Sequence, residues 1–373
     1  MRASRPSSTP SRSRRRIYAL AVVASTALAA VPAGASAARG HHPPHGLAGY
    51  HQRNLVADRP GHAAATDPNL VNAWGLSFGP STPAWVADNG TDVSTLYSGA
   101  TGPGMGATTL PLVVKIPEGA PTGTVYNGGG AFQIDGIPSR FLFSSEAGVI
   151  SGWNPAFGTD ARTAATAAGA VFKGLAIAST PDGPRLYATD FHNGRVDVWD
   201  GAFAPAGKPG AFTDPRLPGG FAPFGIQAVG GRIVVTYAKQ DAAAMDDVHG
   251  RGLGFADLYD TSGTLLQRLV SRGPLNAPWG IAQAPKHFGT ASKDLLIGNF
   301  GDGRINAFNP HNGRFEGALR RGGRGPAIRI DGLWALEFGN GTIGTPQTLL
   351  FTAGPNDESH GLFGAITATK GGR

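Results

Sequence analysis

The chain has 373 residues and a formal charge of +7, and it contains no cysteine. The lack of cysteine excludes disulfides, thiolate metal sites and a cysteine nucleophile. Six arginines and no acidic residue lie within residues 1–37, so the rest of the chain is near neutrality and gives no indication of nucleic-acid binding.

Residues 1–37 have the organisation of a secretory signal peptide. Arginine-rich residues 2–16 precede an apolar run over residues 17–31, which is too short to span a bilayer comfortably. Ala35-Ser36-Ala37 fits the small-residue rule for cleavage. Residues 13–18 also match the loose twin-arginine pattern, so both export routes stay open. We expect a secreted, extracellular protein that is cleaved near Ala37 and has no membrane span.

Residues 38–49 predict a flexible linker rich in histidine, proline and glycine. His41, His42 and His45 could hold a metal ion, but a weakly ordered tail is the favoured interpretation.

A glycine followed by leucine or isoleucine returns about every fifty residues. Short apolar runs follow each copy, rich in branched and aromatic residues and bounded by Gly, Pro, Asn and Asp, which is typical of strands. Each unit predicts a small antiparallel sheet, and repetition at this period is typical of a β-propeller. The copies are Gly75-Leu76, Gly174-Leu175, Gly225-Ile226, Gly280-Ile281 and Gly332-Leu333.

Counting a degenerate second unit, whose first strand is predicted at residues 131–134, the repeats number six. The sixth unit lacks a fourth strand after residues 362–366. Residues 50–57 can supply that strand and close the ring, which leaves no sheet edge free. The prediction is an all-β, six-bladed propeller over residues 50–368, followed by a short tail over residues 369–373.

Polar residues collect in the loops before the innermost strands and in the turns between the second and third strands, which lie on one face of a propeller. Five of them could ring a central funnel and bind a hard cation such as Ca²⁺, which takes oxygen ligands. Tight hairpin turns need the same residue types, and this alternative stays open. The five are Asp88, Glu146, Asp190, Asn299 and Asn356.

The loop over residues 239–254 is far longer than a hairpin needs. Loops of this length in compact domains are functional or disordered. The candidate ligand-binding residues in it are Asp241, Asp246, Asp247, His249 and Arg251.

Trp74, Trp279 and Trp334 stand beside repeat glycines or close to one. We expect them to pack between blades. Stacking on a sugar or another flat ligand is the alternative.

Residues 190–200 end the repeat unit that begins at Gly174-Leu175. Together with that upstream pair they resemble the NHL repeat of six-bladed propellers. Residues 54–58, 66–76 and 85–91 are similar to an uncharacterised family of secreted bacterial proteins, some of which end in a PEP-CTERM sorting tail. The resemblance runs from about residue 50 to residue 366 and implies an NHL-like propeller. It supplies no catalytic residues. The tail of this chain lacks the sorting motif, which favours release over surface attachment.

Two functions from different classes remain open. The favoured prediction is a monomeric, non-catalytic scaffold that binds an extracellular protein, peptide or glycan through its polar face. The alternative is a Ca²⁺-dependent, lactonase-like hydrolase or lyase with its site in the central funnel. The sequence contains no G-x-S-x-G, H-E-x-x-H or phosphate-loop motif, and it does not decide whether the protein is an enzyme.

Overall fold

A computed structural model of the chain describes residues 47–369 except residues 103, 323 and 324. The expected signal peptide and most of the expected linker lie outside the described residues. Strands dominate the described part, together with three short 3₁₀ helices at Asn89–Thr91, Pro155–Phe157 and Gly289–Ala291. Within this part, no helix is long and apolar enough to cross a membrane.

The strands, in chain order, have the following bounds. They are β1 (Leu47–Ala57), β2 (Ala65–Thr66), β3 (Ala73–Ser77), β4 (Ala84–Asp88), β5 (Val93–Gly99), β6 (Ala107–Thr109), β7 (Val114–Lys115), β8 (Pro121–Tyr126), β9 (Gln133–Ile134), β10 (Ile137–Pro138), β11 (Phe141–Ser145), β12 (Val149–Trp153), β13 (Arg162–Thr166), β14 (Phe172–Thr180), β15 (Gly183–Asp190), β16 (Arg195–Asp200), β17 (Phe221–Val229), β18 (Arg232–Gln240), β19 (Asp247–Val248), β20 (Gly254–Tyr259), β21 (Leu265–Ser271), β22 (Pro278–Gln283), β23 (Leu295–Asn299), β24 (Ile305–Phe308), β25 (Phe315–Arg321), β26 (Leu333–Phe338), β27 (Leu349–Ala353) and β28 (Leu362–Ala368).

These strands form small antiparallel sheets that follow one another along the chain. Their orders are β3-β4-β5-β6 with β7 on β5, β8-β11-β12-β13, β14-β15-β16, and β17-β18-β20-β21 with β19 on β18. The runs β22-β23-β24-β25 and β26-β27-β28 are joined through β1 into one larger sheet. Strands β9 and β10 form a separate hairpin.

The first strand of each sheet contacts the first strand of the next, from β3 through β8, β14, β17 and β22 to β26, and β26 contacts β3. The repeat glycines permit this close approach. A Cβ atom at Gly75 would overlap the backbone of Thr122, and one at Gly225 would overlap the Trp279 carbonyl oxygen. Sheets arranged in this way around a common axis define a β-propeller.

The first strand of each sheet, which we call the inner strand, has an irregularity in its pairing at the repeat position, and in three sheets a threonine hydroxyl fills it. In the third sheet, the Thr189 Oγ1 accepts from the Gly174 backbone N–H (2.7 Å) and donates to the Phe224 carbonyl of the next sheet (2.8 Å). Such a hydroxyl replaces the lost ladder bond and links two sheets. Thr236 and Thr352 make the equivalent pairs of bonds.

Two predicted repeat positions were wrong. The first strand of the second sheet is β8, where Gly123 lies against Leu175, whereas residues 131–134 lead into the β9–β10 hairpin. In the last sheet the repeat position is Ala335 rather than Gly332. The pairing irregularity brackets Ala335, and Gly332 lies in the preceding turn with φ +63°.

The predicted pairing of residues 50–57 with residues 362–366 is confirmed. Strand β1 runs antiparallel to β28, with Tyr50 opposite Ala368 and Ala57 opposite Leu362. It starts at Leu47 and also lies parallel to β25, so it joins the last two sheets. The Tyr50 hydroxyl donates to the Phe288 carbonyl at 2.9 Å and anchors the strand.

Candidate functional site

Aromatic side chains fill the axis near the start of the inner strands. The Trp74 and Trp334 rings stack with centroids 3.8 Å apart, and Phe300 stacks on Trp334 at 3.9 Å. Trp279 meets Trp334 edge-on at 5.8 Å. The three tryptophans therefore pack on one another across the axis. We call this end of the axis the upper face, and it also carries the turns that follow β4, β11, β15 and β23.

Lys173 is a buried cation directly above this aromatic cluster. Its Nζ donates to Glu146 and to the Asp246 Oδ1 (3.4 Å), and it lies 5.2 Å from the centre of the Trp74 ring. Burial disfavours the charge, but the two carboxylates outweigh it and raise the pKa of Lys173 above its ordinary value. The side chain is thus a fixed positive charge that holds two loops from different sheets.

A chain of hydrogen bonds extends from this ion pair across the upper face. The Glu146 Oε2 accepts from the Asn89 Nδ2 (3.2 Å), and the Asn89 Oδ1 accepts from the Asn72 Nδ2 (3.1 Å). Asn72 also donates to Glu358 (2.9 Å) and accepts from the Trp334 Nε1 (2.9 Å). Loops of four sheets and strand β14 of a fifth are joined in this way. We call the set the polar cap, and its members are Asn72, Asn89, Glu146, Lys173, Asp246 and Glu358.

Of the five candidate metal ligands, only Glu146 belongs to the polar cap. Asp88 is fully buried and accepts from the Thr95 Oγ1 (2.7 Å), and burial raises the pKa of Asp88 well above its ordinary value. Asp190 accepts from the backbone N–H and the Nδ2 of Asn193 (3.2 and 2.7 Å). These contacts belong to local turns and to the interior of single sheets.

The remaining two candidates bond within their own turns, and Asn299 also donates to the Pro274 carbonyl in the segment that leads into its sheet (2.8 Å). The Asn299 Nδ2 donates to Asp302 (3.0 Å), and the Asn356 Nδ2 donates to Ser359 (2.7 Å). Asp88 and Asn299 each keep one buried side-chain oxygen without a hydrogen-bond partner among the described residues. In the same part of the chain, no three His, Asp or Glu side chains gather as a metal site requires.

The candidate ligand-binding loop is folded over the upper face. The Asp241 Oδ1 accepts from the Met245 N–H (2.9 Å) and closes a turn, which directs Asp246 toward Lys173. Strand β19 pairs with β18 and fixes the second half of the loop. Arg251 is exposed to solvent near the end of the loop.

His249 is held by the acid beside it. Its Nε2 lies 3.0 Å from the Asp247 Oδ2, and its ring meets Phe300 edge-on at 5.1 Å. The contact with Asp247 is the largest cause that raises the pKa of His249, and Glu358 and Asp357 add to it. The loop therefore presents one imidazole among several carboxylates.

Sequence reasoning did not select Asn72, Asn89, Lys173 or Glu358 as site residues. One signal for Lys173 is present in the repeats. It occupies the position before the glycine, where Trp74, Phe224 and Trp279 stand in other copies. A lysine at a position where other repeats have an aromatic residue indicates a charged group close to the axis.

The fold and the polar cap define a β-propeller protein with a hydrogen-bonded polar face. The chain is 33% identical over 327 residues to uncharacterized protein R648 of Acanthamoeba polyphaga mimivirus. The alignment covers 84% of this chain and 78% of R648. It is 30% identical over 329 residues to uncharacterized protein L690 of the same virus, with 84% of each chain covered. The chain belongs to the protein family that includes R648 and L690. No family model matches it.

Solved structures show weaker similarities. Virginiamycin B lyase from Staphylococcus aureus matches with a TM-score of 0.47 and 13% identity, covering 85% of this chain and 98% of that one. The PQQ-bound aldose sugar dehydrogenase from Streptomyces coelicolor matches with a TM-score of 0.49 and 14% identity, covering 87% of this chain and 99% of that one. These similarities are too distant to assign an activity.

Proposed function

We propose that this chain is a secreted, six-bladed, NHL-like propeller that acts as a binding scaffold, with the polar cap and the 239–254 loop as its binding surface. The organisation of residues 1–37 supports export. Six inner strands that contact one another in sequence support the blade count. The partner is a basic segment of an extracellular protein or peptide.

One observation carries the choice of surface, namely the double contact of Lys173 with Glu146 and Asp246. This buried cation fixes the long loop over the axis before any partner arrives. A surface that is already ordered loses less conformational entropy on binding, which favours affinity.

The charge of the upper face suggests the kind of partner. Glu146 and Asp246 both contact Lys173, and the Asp246 side chain is 70% exposed. Asp357 and Glu358 lie close enough to His249 of the same face to raise its pKa. Lys173 is buried beneath them and neutralises only part of this charge. Complementary charge gives specificity and faster association, so a lysine- or arginine-rich segment fits this surface.

The calcium-dependent alternative has no comparable support from contacts. Four of its five candidate ligands bond within their own turn or sheet, and Glu146 is paired with Lys173.

Binding of a fluorescent lysine-rich peptide, followed by anisotropy at low and high salt, tests the proposal. We expect the wild-type protein to bind it more tightly than a glutamate-rich peptide, with an affinity that falls as salt screens the charges. Asp246→Asn should weaken binding by about two- to fivefold, the effect of losing one exposed charge interaction.

Asp182→Asn is the matched control, because Asp182 is an exposed acid in the β14–β15 turn at the opposite end of the sheets. Equal binding of the basic and acidic peptides, or an equal loss in Asp182→Asn, would contradict the proposal.

A further inference from the structure

The lower face, at the opposite end of the axis from the polar cap, contains a cavity of about 810 Å³. It lies between the sheets that contain β17, β22 and β26. Its lining combines apolar side chains, among them Val234, Leu258, Ile281, Leu295 and Leu336, with the polar side chains of Gln227 and Gln283. A volume of this size, lined by apolar side chains and a few polar groups, is typical of a small-molecule site.

Among the described residues, Glu337 is the one carboxylate that lines this cavity. It also lines the narrow void that the inner strands enclose on the axis. Although the side chain is partly buried, no hydrogen bond or ion pair joins its carboxyl group to another described residue. Burial raises the pKa of Glu337 to about 8.

An unpaired carboxyl group inside an apolar cavity costs free energy of folding. Groups of this kind concentrate at binding and catalytic sites, because a ligand supplies the missing partner. Glu337 contributes nothing to the polar cap, so the upper face gives no reason for its position.

Basic side chains stand at the mouth of the same cavity. Arg232 begins β18, Lys293 precedes β23, and His311 lies in the turn between β24 and β25. All three are exposed. The cavity therefore has a single acid among the described residues of its lining, largely apolar walls, and the cations Arg232 and Lys293 at its rim.

We propose that this cavity binds a zwitterionic small molecule, specifically a short apolar peptide with free termini. Its amino group pairs with Glu337, its apolar side chains contact the walls, and its carboxylate meets Arg232 and Lys293. The site is separate from the polar cap and goes beyond the proposed scaffold function.

Calorimetric titration of the full chain with the dipeptide Leu-Phe, its N-acetyl form and its C-terminal amide tests the assignment. We expect the free dipeptide to bind, and each blocked form to lose about tenfold or more in affinity, as expected for the loss of a charged hydrogen bond in a partly buried site. Glu337→Gln should lower affinity for the free dipeptide to a similar extent and should abolish its preference over the N-acetyl form.

Proton release provides a second measurement that a merely structural role for Glu337 would not affect. At pH 7 the empty site holds a protonated Glu337, so pairing with an ammonium group should release about one proton per dipeptide. Titrations in two buffers of different ionisation enthalpy measure this release. Arg232 and Lys293 carry fixed charges at this pH, and repeating the titration in His311→Asn removes the histidine that also lines the cavity.

Asp246→Asn should leave dipeptide binding unchanged, which separates this site from the upper face. The proposal is overturned if millimolar Leu-Phe gives no binding. It is equally overturned if the N-acetyl form binds as well as the free dipeptide, or if Glu337→Gln changes neither affinity nor proton release.

Discussion

A chain that lacks residues 47–57 is expected to lose cooperative unfolding and to aggregate. Strand β1 pairs with β28 on one side and borders β25 on the other, so its removal leaves two sheet edges unpaired. Tyr50, Leu55 and Val56 are fully buried. Loss of three such side chains costs about 5–8 kcal/mol, which is comparable to the whole free energy of unfolding of a typical domain, about 5–15 kcal/mol.

Calorimetry and size-exclusion chromatography measure this outcome. The matched control is a chain that begins at Leu47 and keeps β1, which should melt in one cooperative transition as a monomer. If both chains melt alike, then β1 does not stabilise the junction of the last two sheets.

Gly225→Ala is expected to destabilise the protein by about 3–5 kcal/mol, within the range for severe overlap in a packed interior. The new methyl group would overlap the Trp279 carbonyl and would lie 2.8 Å from the Thr236 Oγ1. Both atoms belong to the contact between the fourth and fifth sheets, and Thr236 bridges them by its bond to the Pro278 carbonyl. The clash cannot be relieved by one side chain, because it involves backbone.

Urea unfolding monitored by tryptophan fluorescence measures the change. Gly219→Ala is the control, since a Cβ atom there would have no neighbour within 4 Å. Equal unfolding midpoints for the two variants would show that the close approach of inner strands does not require glycine.

The sequence predicts an inner strand correctly where the packing of neighbouring sheets allows only glycine at the repeat position. Gly75, Gly174, Gly225 and Gly280 recur because backbone from the next sheet occupies the space of a Cβ atom. The glycine-aliphatic motif does not mark the inner strand in two of the sheets. Ala335 takes the position in the last sheet, and Gly123 is followed by Thr124 rather than by an aliphatic residue.

The candidate site could be predicted only in part. Acids at strand ends indicated the upper face, but whether each side chain points to the axis or into its own turn depends on backbone geometry. Asp190 bonds to Asn193 three residues away, whereas Glu146 reaches Lys173 in another sheet. Such long-range pairs leave no local pattern in the sequence.

Glu337 illustrates the same limit on the lower face. Leu336-Glu337-Phe338 follows the alternation of a strand with one solvated side, which predicts an exposed glutamate. Only the convergence of inner strands around the axis places this carboxyl group in a cavity.

Amide hydrogen exchange of the wild-type protein, with and without the lysine-rich peptide, shows which face of the propeller the peptide contacts. If the polar cap is the binding surface, then the peptide should slow exchange in the upper-face loops at residues 89–92, 146–148, 241–249 and 356–360. The turn around Asp182 at the other end of the sheets should not change. Protection confined to lower-face turns, or no protection at saturating peptide, would show that the polar cap is not the binding surface.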